Sequence, residues 1–393
     1  MIAPRLHVLR YLRFVKNAGF WFAAALAATP CASVAAAAAA TKPEPIKIGV
    51  YASLTGKEAV WGQSAEKATR LAVDDVNAAG GVLGRPLLAI IEDNQSKPGE
   101  SVTAVRKLIS RDKVIAILGE ASSGRSLEAA PICQQARIPM ISGGSNPKVT
   151  QVGNFIFRTH FIDPFQGTVM SRFAREKLGA RRLALLTEVT NAYAVGLAKY
   201  FSADAAAHQT PILVEQKYSA GERDFKAQLT AIKAANVDAI FVPGYYTEAG
   251  LIVAQARELG LNLPVLGGDG WEGPQLLAIG GPALRDTYYC NNFSSESDVP
   301  ETRRFIARYQ ARFQSMPGGT AADAYDAVLM LADAIKRADS TEPEKIRAAL
   351  ATTRGLRGVG GPLNVDANRD QLKPAYILGY NSGDYHLVQV IQP

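Results

Sequence analysis

The chain has 393 residues, of which 48% are hydrophobic and 20% charged, a composition that is typical of globular proteins and excludes a disordered chain. This length exceeds one ordinary hydrophobic core and predicts two lobes or domains. The formal net charge is +7, but residues 1–40 hold four basic and no acidic side chains, so the other 39 basic and 36 acidic residues leave only +3. Because this excess is small and evenly spread, and no nucleic-acid motif is present, we expect no nucleic-acid partner.

Residues 1–40 are predicted to be an export signal. A basic start leads into the apolar stretch 20–26 and then into a tract of small residues with several Ala-x-Ala cleavage choices near residue 40. A membrane anchor is the alternative, which Pro30 and the weakly apolar alanine tract disfavour. A lipid anchor on Cys31 is disfavoured because a proline directly precedes it.

Two cysteines, Cys133 and Cys290, remain after the predicted cleavage. A single pair in an exported protein could form a disulfide, but these two lie far apart in the chain. We therefore predict two buried thiols.

Strands alternate with helices from residue 46 onward. The predicted strands of the first half are short apolar runs, at 46–51, 86–92, 114–118 and 138–141. The predicted helices carry apolar residues at helical spacing, at 63–77, 101–111 and 126–137. This alternation predicts a parallel sheet that is covered by helices on both faces.

The same alternation begins again after residue 164. The predicted helices are 165–178, 195–207, 225–235 and 249–259, and the predicted strands are 182–187, 212–216, 239–243, 264–266 and 286–293. Three more helices, a glycine-rich bend and two strand-like runs follow, at 302–313, 321–337, 344–351, 358–362, 375–380 and 386–391. We predict an α/β fold of two doubly wound parallel-sheet lobes joined by a three-strand hinge.

The three late helices have no sheet of their own, so they should complete the first lobe. This predicts a first lobe of residues 44–162 and 294–370 and a second lobe of residues 163–293 and 371–393. The chain would cross between the lobes near 158–163, near Phe293 and near 366–373.

In open α/β sheets, ligands bind outside the carboxyl ends of the strands. The loops at these ends hold several glycines and hydroxyls, four aromatic residues (Trp61, Tyr193, Tyr245 and Trp271) and one acid, Asp269. Taken alone, each aromatic residue is better explained by packing, and Asp269 is better explained by a turn. Their joint position at the edges that face one cleft favours a binding site.

Residues 119–126 run from a strand end into a helix start, where unpaired backbone N–H groups suit an anion. A plain serine N-cap is the alternative. The strand-end inventory fits a free amino acid, with its carboxylate at Ser123, its ammonium at Asp269 and its side chain among the aromatic rings.

Sequence features of an enzyme or a metal site are lacking. The histidines are His7, His160, His208 and His386, and we expect none of them on a strand-end loop with an acid or cysteine partner. There is no dinucleotide or phosphate loop, no nucleophile elbow and no metal-ligand spacing. We predict a binding protein with no catalytic residue, metal or cofactor.

Several motifs occur together between residues 46 and 380. They are Leu54-Thr55-Gly56 with Trp61-Gly62, 74–77 before 80–84, 92–95, 141–150, 244–246 and 266–270. In this combination the chain resembles the leucine/isoleucine/valine-binding family, the type I periplasmic binding proteins of ABC importers for branched-chain and hydrophobic amino acids. The resemblance implies a monomer that captures a hydrophobic, branched-chain or aromatic amino acid in the periplasm and delivers it to a membrane ABC permease.

The resemblance also implies roles for single residues. Hydroxyls at Ser123 and Ser145, with backbone groups at Gly143, would hold the ligand carboxylate. Asp269 stands where the family usually has a glutamate that pairs with the ammonium. The predicted ligand-binding residues are Trp61, Ala121, Ser122, Ser123, Gly143, Ser145, Tyr193, Tyr245 and Asp269.

Two departures from the family pattern matter. Aspartate for glutamate shortens the reach by one methylene, and the small residues at Ala121 and 143–144 leave room for a side chain larger than leucine. Arg125 could face an acidic ligand, although an exposed helix charge is the simpler interpretation.

The alternatives to an amino-acid-binding protein of an ABC importer are a sensory ligand-binding module, or a binding protein for aromatic acids or amides.

Overall fold

The computed structural model describes residues 43–393, so the predicted export signal lies outside the described residues. The first sheet has five parallel strands in the order β2-β1-β3-β4-β5. They are β1 (Ile46–Ala52), β2 (Leu87–Asp93), β3 (Ile117–Leu118), β4 (Met140–Ser142) and β5 (Ile156–Arg158). The connecting helices are α1 (Ala59–Ala78), α2 (Glu100–Ser110), α3 (Ser123–Ala136) and the short α4 (Lys148–Gln151).

The second sheet has seven strands in the order β14-β13-β10-β9-β8-β6-β7. Its parallel strands are β6 (Leu183–Glu188), β7 (Ile212–Tyr218), β8 (Ala239–Phe241), β9 (Val265–Gly267) and β10 (Thr287–Asn291). Its helices are α5 (Asp163–Glu176), α6 (Ala192–Ala207), α7 (Lys226–Ala234), α8 (Tyr246–Glu258) and α9 (Pro274–Gly280). The antiparallel strands β13 (Ala375–Asn381) and β14 (Asp384–Ile391) complete one edge.

The late helices return to the first lobe, as predicted. They are α10 (Pro300–Phe313), α11 (Gly319–Ala338) and α12 (Pro343–Ala351). Val328, Leu331 and Ile346 of these helices share one buried core with Ile48 and Val50 of β1. The fold of two doubly wound lobes with three hinge crossings is therefore confirmed, while the residue boundaries of the lobes stay a prediction.

Some local predictions were wrong. The predicted glycine-rich bend at 358–362 is a hairpin of β11 (Leu356–Gly358) and β12 (Gly361–Leu363). Strand β5 and helices α4 and α9 were not predicted, because three to seven residues are too few to show a period.

Cys133 and Cys290 are buried free thiols, as predicted. None of the described helices is both long and apolar enough to cross a membrane.

Candidate ligand-binding site

A cavity lies where the carboxyl ends of the two sheets face each other across the hinge. Its volume is about 30 Å³, so in this closed arrangement the facing lobes leave room for a few water molecules. Its lining residues come from both lobes and are Trp61, Ala121, Gly143, Ser145, His160, Tyr193, Tyr245, Asp269, Gly270, Glu272, Asn291, Asn292, Thr320 and Asp323.

Seven of the nine predicted ligand-binding residues line this cavity, and Ser122 and Ser123 do not. Ser123 is buried behind the cavity, where its Oγ accepts a hydrogen bond from the Asn146 N–H at 3.1 Å. Ser122 Oγ lies 3.1 Å from Tyr245 Oη in the other lobe. In this structure both serines therefore support the loops around the cavity.

Aromatic rings form one wall of the cavity. Trp61 of the first lobe meets Tyr245 edge to face, with ring centroids 4.7 Å apart. Tyr193 stacks on Tyr245 at 5.6 Å. Trp271 lies apart, fully buried, with its indole N–H donating to the Val242 carbonyl at 3.0 Å. Three of the four strand-end aromatics thus face the site, and the fourth is a core residue.

Asp269 is held in place on the opposite side. Its Oδ1 accepts a hydrogen bond from Gln166 Nε2 at 2.8 Å, and its backbone N–H donates to Gln166 Oε1 at 3.0 Å. Its Oδ2 lies 3.3 Å from His160 Nε2. This carboxylate is oriented by helix α5 while one oxygen remains turned toward the cavity residues.

The expectation that no histidine has an acid partner at a strand end was wrong. His160 follows β5, the strand that was not predicted, and its Nε2 lies near both Asp269 and Asp323. Its Nδ1 is 2.9 Å from the Phe161 carbonyl oxygen. Because a carbonyl only accepts, Nδ1 carries the proton and Nε2 faces the carboxylates.

Five polar lining residues were also missed: Glu272, Asn291, Asn292, Thr320 and Asp323. Asn291 ends β10, so the strand-end argument could have found it. Thr320 and Asp323 lie on α11, a helix that joins the first lobe only after the chain has returned from the second. Their position in the sequence did not indicate that they would line a ligand site.

The lobes contact each other around the cavity. The carboxylate of Glu272, from the second lobe, accepts hydrogen bonds from the Gly319 and Thr320 N–H groups at the start of α11, at 2.6 and 3.2 Å. The Trp61 indole N–H donates to the Glu272 carbonyl at 2.7 Å. A carboxylate at the N-terminus of a 20-residue helix is favourable, so Glu272 stabilises the closed arrangement.

A buried polar network supports the loop that carries Ala121. Ser53 Oγ donates to Asn94 Oδ1 at 2.8 Å and lies 3.2 Å from both carboxyl oxygens of Glu120, and Asn94 Nδ2 donates to Glu120. Burial, together with the nearby charge of Glu58, raises the pKa of Glu120 to about 8. Residues from the ends of three neighbouring strands thus meet at one carboxyl group.

Neither interpretation of Arg125 holds in the structure. Its side chain is only 10% exposed, so it is not a free surface charge. It donates a hydrogen bond to the Ser96 carbonyl at 2.7 Å. It also forms ion pairs with Glu128 at 3.0 Å and with Glu58 at 3.8 Å. Arg125 does not line the cavity and instead stabilises the first turn of α3.

Comparison with known proteins agrees with this architecture. Residues 45–384 match the family model described as "Periplasmic binding protein". The chain belongs to this family.

Within the part of the chain that the structure describes, no three His, Cys, Asp or Glu side chains are grouped so that they could hold a metal ion.

Individual members of the family are similar over most of the chain. The Leu/Ile/Val-binding protein BraC3 of Rhizobium johnstonii is 30% identical, over 78% of this chain and 83% of its own length. The LivJ substrate-binding protein of Streptococcus pneumoniae, solved with isoleucine, is 34% identical with a TM-score of 0.84, over 89% of this chain and 100% of its own. A solute-binding protein of Rhodopseudomonas palustris, solved with 3,4-dihydroxybenzoic acid, is 25% identical with a TM-score of 0.78, over 88% of this chain and 97% of its own.

Replacing Glu272 with alanine is expected to weaken amino-acid binding by about 10-fold, because the closed form of this binding protein loses charge-assisted hydrogen bonds to α11. Calorimetry gives the affinity, and small-angle X-ray scattering of the liganded protein shows whether it closes. Glu301→Ala is the control, since it removes an acid from the first turn of α10 away from the cavity. Equal affinities of the two variants would contradict this role.

The stability of the protein should fall as the pH rises from about 4.5 to about 8, in part because of Glu120. In this window the folded protein keeps the Glu120 proton while the unfolded chain, with a pKa of 4.5, has lost it, so deprotonation favours unfolding. Glu120→Gln should remove this contribution and flatten the pH profile by a few kcal/mol. Urea unfolding of both proteins between pH 5 and 9 measures it.

Asp163, whose pKa burial raises to about 8, contributes the same trend in both proteins and cancels in the comparison. Parallel pH profiles for wild type and Glu120→Gln would show that Glu120 is not protonated in the folded state.

Proposed function

We propose that the protein is a non-enzymatic substrate-binding protein of an ABC importer, which captures a free amino acid between its lobes and delivers it to a membrane permease. The observation that carries this proposal is the position of Asp269. Its carboxylate shares one cavity with Gly143 and Ser145 of the opposite lobe, so the two ends of a zwitterion can be held at the same time.

In this proposal, Asp269 Oδ2 accepts hydrogen bonds from the ligand ammonium. The Ser145 hydroxyl and the backbone at Gly143 bind the carboxylate, and Ser123 orients their loop through its contact with Asn146. Burying a zwitterion is costly unless both ends are paired, so binding requires the closed lobes. Trp61, Tyr193 and Tyr245 pack against the ligand, and Ala121 leaves space for its side chain.

The relatives suggest a ligand with an aliphatic side chain, because one is named for leucine, isoleucine and valine and another was solved with isoleucine. Export through a signal cleaved near residue 40, action in the periplasm and a monomeric state belong to the same proposal.

A binding protein for aromatic acids is the second candidate, favoured by the relative solved with 3,4-dihydroxybenzoic acid. Three acids line the cavity here, Asp269, Glu272 and Asp323, and no lysine or arginine of residues 43–393 does. A carboxylate ligand without an ammonium would find no opposite charge among them, so an amino acid fits better.

A thermal-shift screen of amino acids against aromatic carboxylates, followed by calorimetry, tests the proposal. We expect stabilisation by at least one amino acid and none by benzoates. Stabilisation by aromatic carboxylates alone would establish the second candidate, and no response to any amino acid would refute the proposal.

A further inference from the structure

Asp323 lies at the boundary between the cavity and a second, apolar chamber. This chamber has a volume of about 40 Å³ and lies between the first sheet and helices α1 and α11. Its walls include Ala52, Ala65, Leu118, Ile141, Ala324 and Ala327. Asp323, Trp61, Ala121, Gly143 and Thr320 line both spaces, so a ligand side chain that extends toward the chamber passes Asp323.

The two oxygens of Asp323 differ in their surroundings. Oδ1 accepts hydrogen bonds from Asn292 Nδ2 at 2.8 Å and from Lys373 Nζ at 3.1 Å. Oδ2 accepts no hydrogen bond from any residue that the structure describes, and His160 Nε2 lies 3.8 Å from it. One oxygen therefore anchors the side chain at the hinge, and the other is free to bind a donor.

Asn292 offers a second unused acceptor. The residue is 2% exposed and lines the cavity, and its Oδ1 has no hydrogen-bond partner among residues 43–393. Its orientation is determined by Asp323, because Nδ2 must face the carboxylate. This oxygen is almost inaccessible and lies beside Gly319 at the start of α11, so it is an unsatisfied acceptor at the edge of the cavity.

The other acids of the cavity do not compete for this role. Both Glu272 oxygens are already bonded, one to Asn291 and Gly319 and the other to Thr320. Asp269 Oδ2 is assigned to the ligand ammonium. A protonated His160 would supply one N–H, on the side nearer Asp269, and would still leave Asp323 Oδ2 and Asn292 Oδ1 without donors.

We propose that the ligand is an amino acid whose side chain ends in a nitrogen donor, either an amide or a cationic group, and that Asp323 receives this donor. The apolar stem of the side chain would lie against Trp61 and Ala121. This inference rests on the proposed function and gives the ligand a different side chain from the aliphatic one that the relatives suggest. Asp323 is thus the residue that determines side-chain specificity.

Calorimetry of the wild-type protein is the first test. Lysine, arginine, glutamine and asparagine are the nitrogen-donor ligands, and leucine, isoleucine and phenylalanine are the comparison set. We expect at least one of the first group to bind about 10-fold or more tightly than every member of the second. The tightest binder then distinguishes a cationic side chain from an amide.

The second test compares Asp323→Asn with Asp326→Asn. Both changes remove a carboxylate that pairs with Lys373, but Asp326 is fully buried and does not line the cavity. Asp323→Asn should lower the affinity for the best nitrogen-donor ligand by about 10- to 100-fold relative to leucine, whereas Asp326→Asn should preserve the wild-type ratio.

Tighter wild-type binding of leucine, isoleucine or phenylalanine than of every nitrogen-donor amino acid would overturn this inference and leave the proposed function standing. An equal change of the affinity ratio in both variants would also overturn it. Failure of every amino acid to bind would instead refute the proposed function. The wild-type comparison decides the question even if a variant does not fold.

Discussion

The Asp269→Ala variant is expected to lose amino-acid binding, by about 100-fold or more, while its fold stays intact. In the closed cavity the ligand ammonium would lose its carboxylate partner, and truncating one member of a buried charge pair costs about 2–5 kcal/mol of binding free energy. The fold should tolerate the change, because the Asp269 side chain is 19% exposed and its Oδ1 is bonded to Gln166 alone.

Calorimetry with the tightest-binding amino acid measures this loss, and circular dichroism with thermal unfolding checks the fold. Asp298→Ala is the matched control, since that side chain is 91% exposed and remote from the cavity. Unchanged binding in Asp269→Ala would refute the model in which a zwitterion spans the two lobes.

The Arg158→Met variant should lose about 3–5 kcal/mol of unfolding free energy. Arg158 is fully buried at the end of β5 and donates to Asp370 at 2.6 Å, to the Asn146 carbonyl at 2.8 Å and to the Gly144 carbonyl. Burial lowers the pKa of Arg158, and the charge of Asp370 opposes this shift. Methionine would remove the cationic partner of the buried Asp370 carboxylate, which keeps a hydrogen bond from the Thr150 hydroxyl at 2.9 Å, and the donor to two carbonyls.

The same substitution should weaken ligand binding, because the carbonyls at Gly144 and Asn146 flank Ser145. Urea unfolding measures the stability, with Arg182→Met as the control, which removes an ion pair with Asp238 at the surface. The control should lose far less stability, since exposed pairs contribute little. Similar losses in the two variants would show that Arg158 is not essential to the hinge.

Local sequence pattern was sufficient for much of this protein. Ile46–Ala52 is a short apolar run and Ala59–Ala78 repeats apolar residues at helical spacing, and both patterns are visible in one sequence. The parallel strands then place Ala121, Tyr245 and Asp269 at facing edges, because ligand sites form at the carboxyl ends of strands. Asp269 was found in this way, although it also resembles a simple turn residue.

The tertiary structure alone decided the electrostatics of the site. Asp323 meets His160, Asn292 and Lys373, one residue from each hinge crossing, and these contacts span 31 to 163 residues of sequence. Glu272 reaches α11 across the cleft in the same way. A local sequence pattern does not indicate which helix of one lobe packs beside which loop of the other lobe. The sequence by itself therefore determined the two-lobed fold and the aromatic wall, whereas lobe closure decided which carboxylates share the cavity, because their encounter depends on long-range packing.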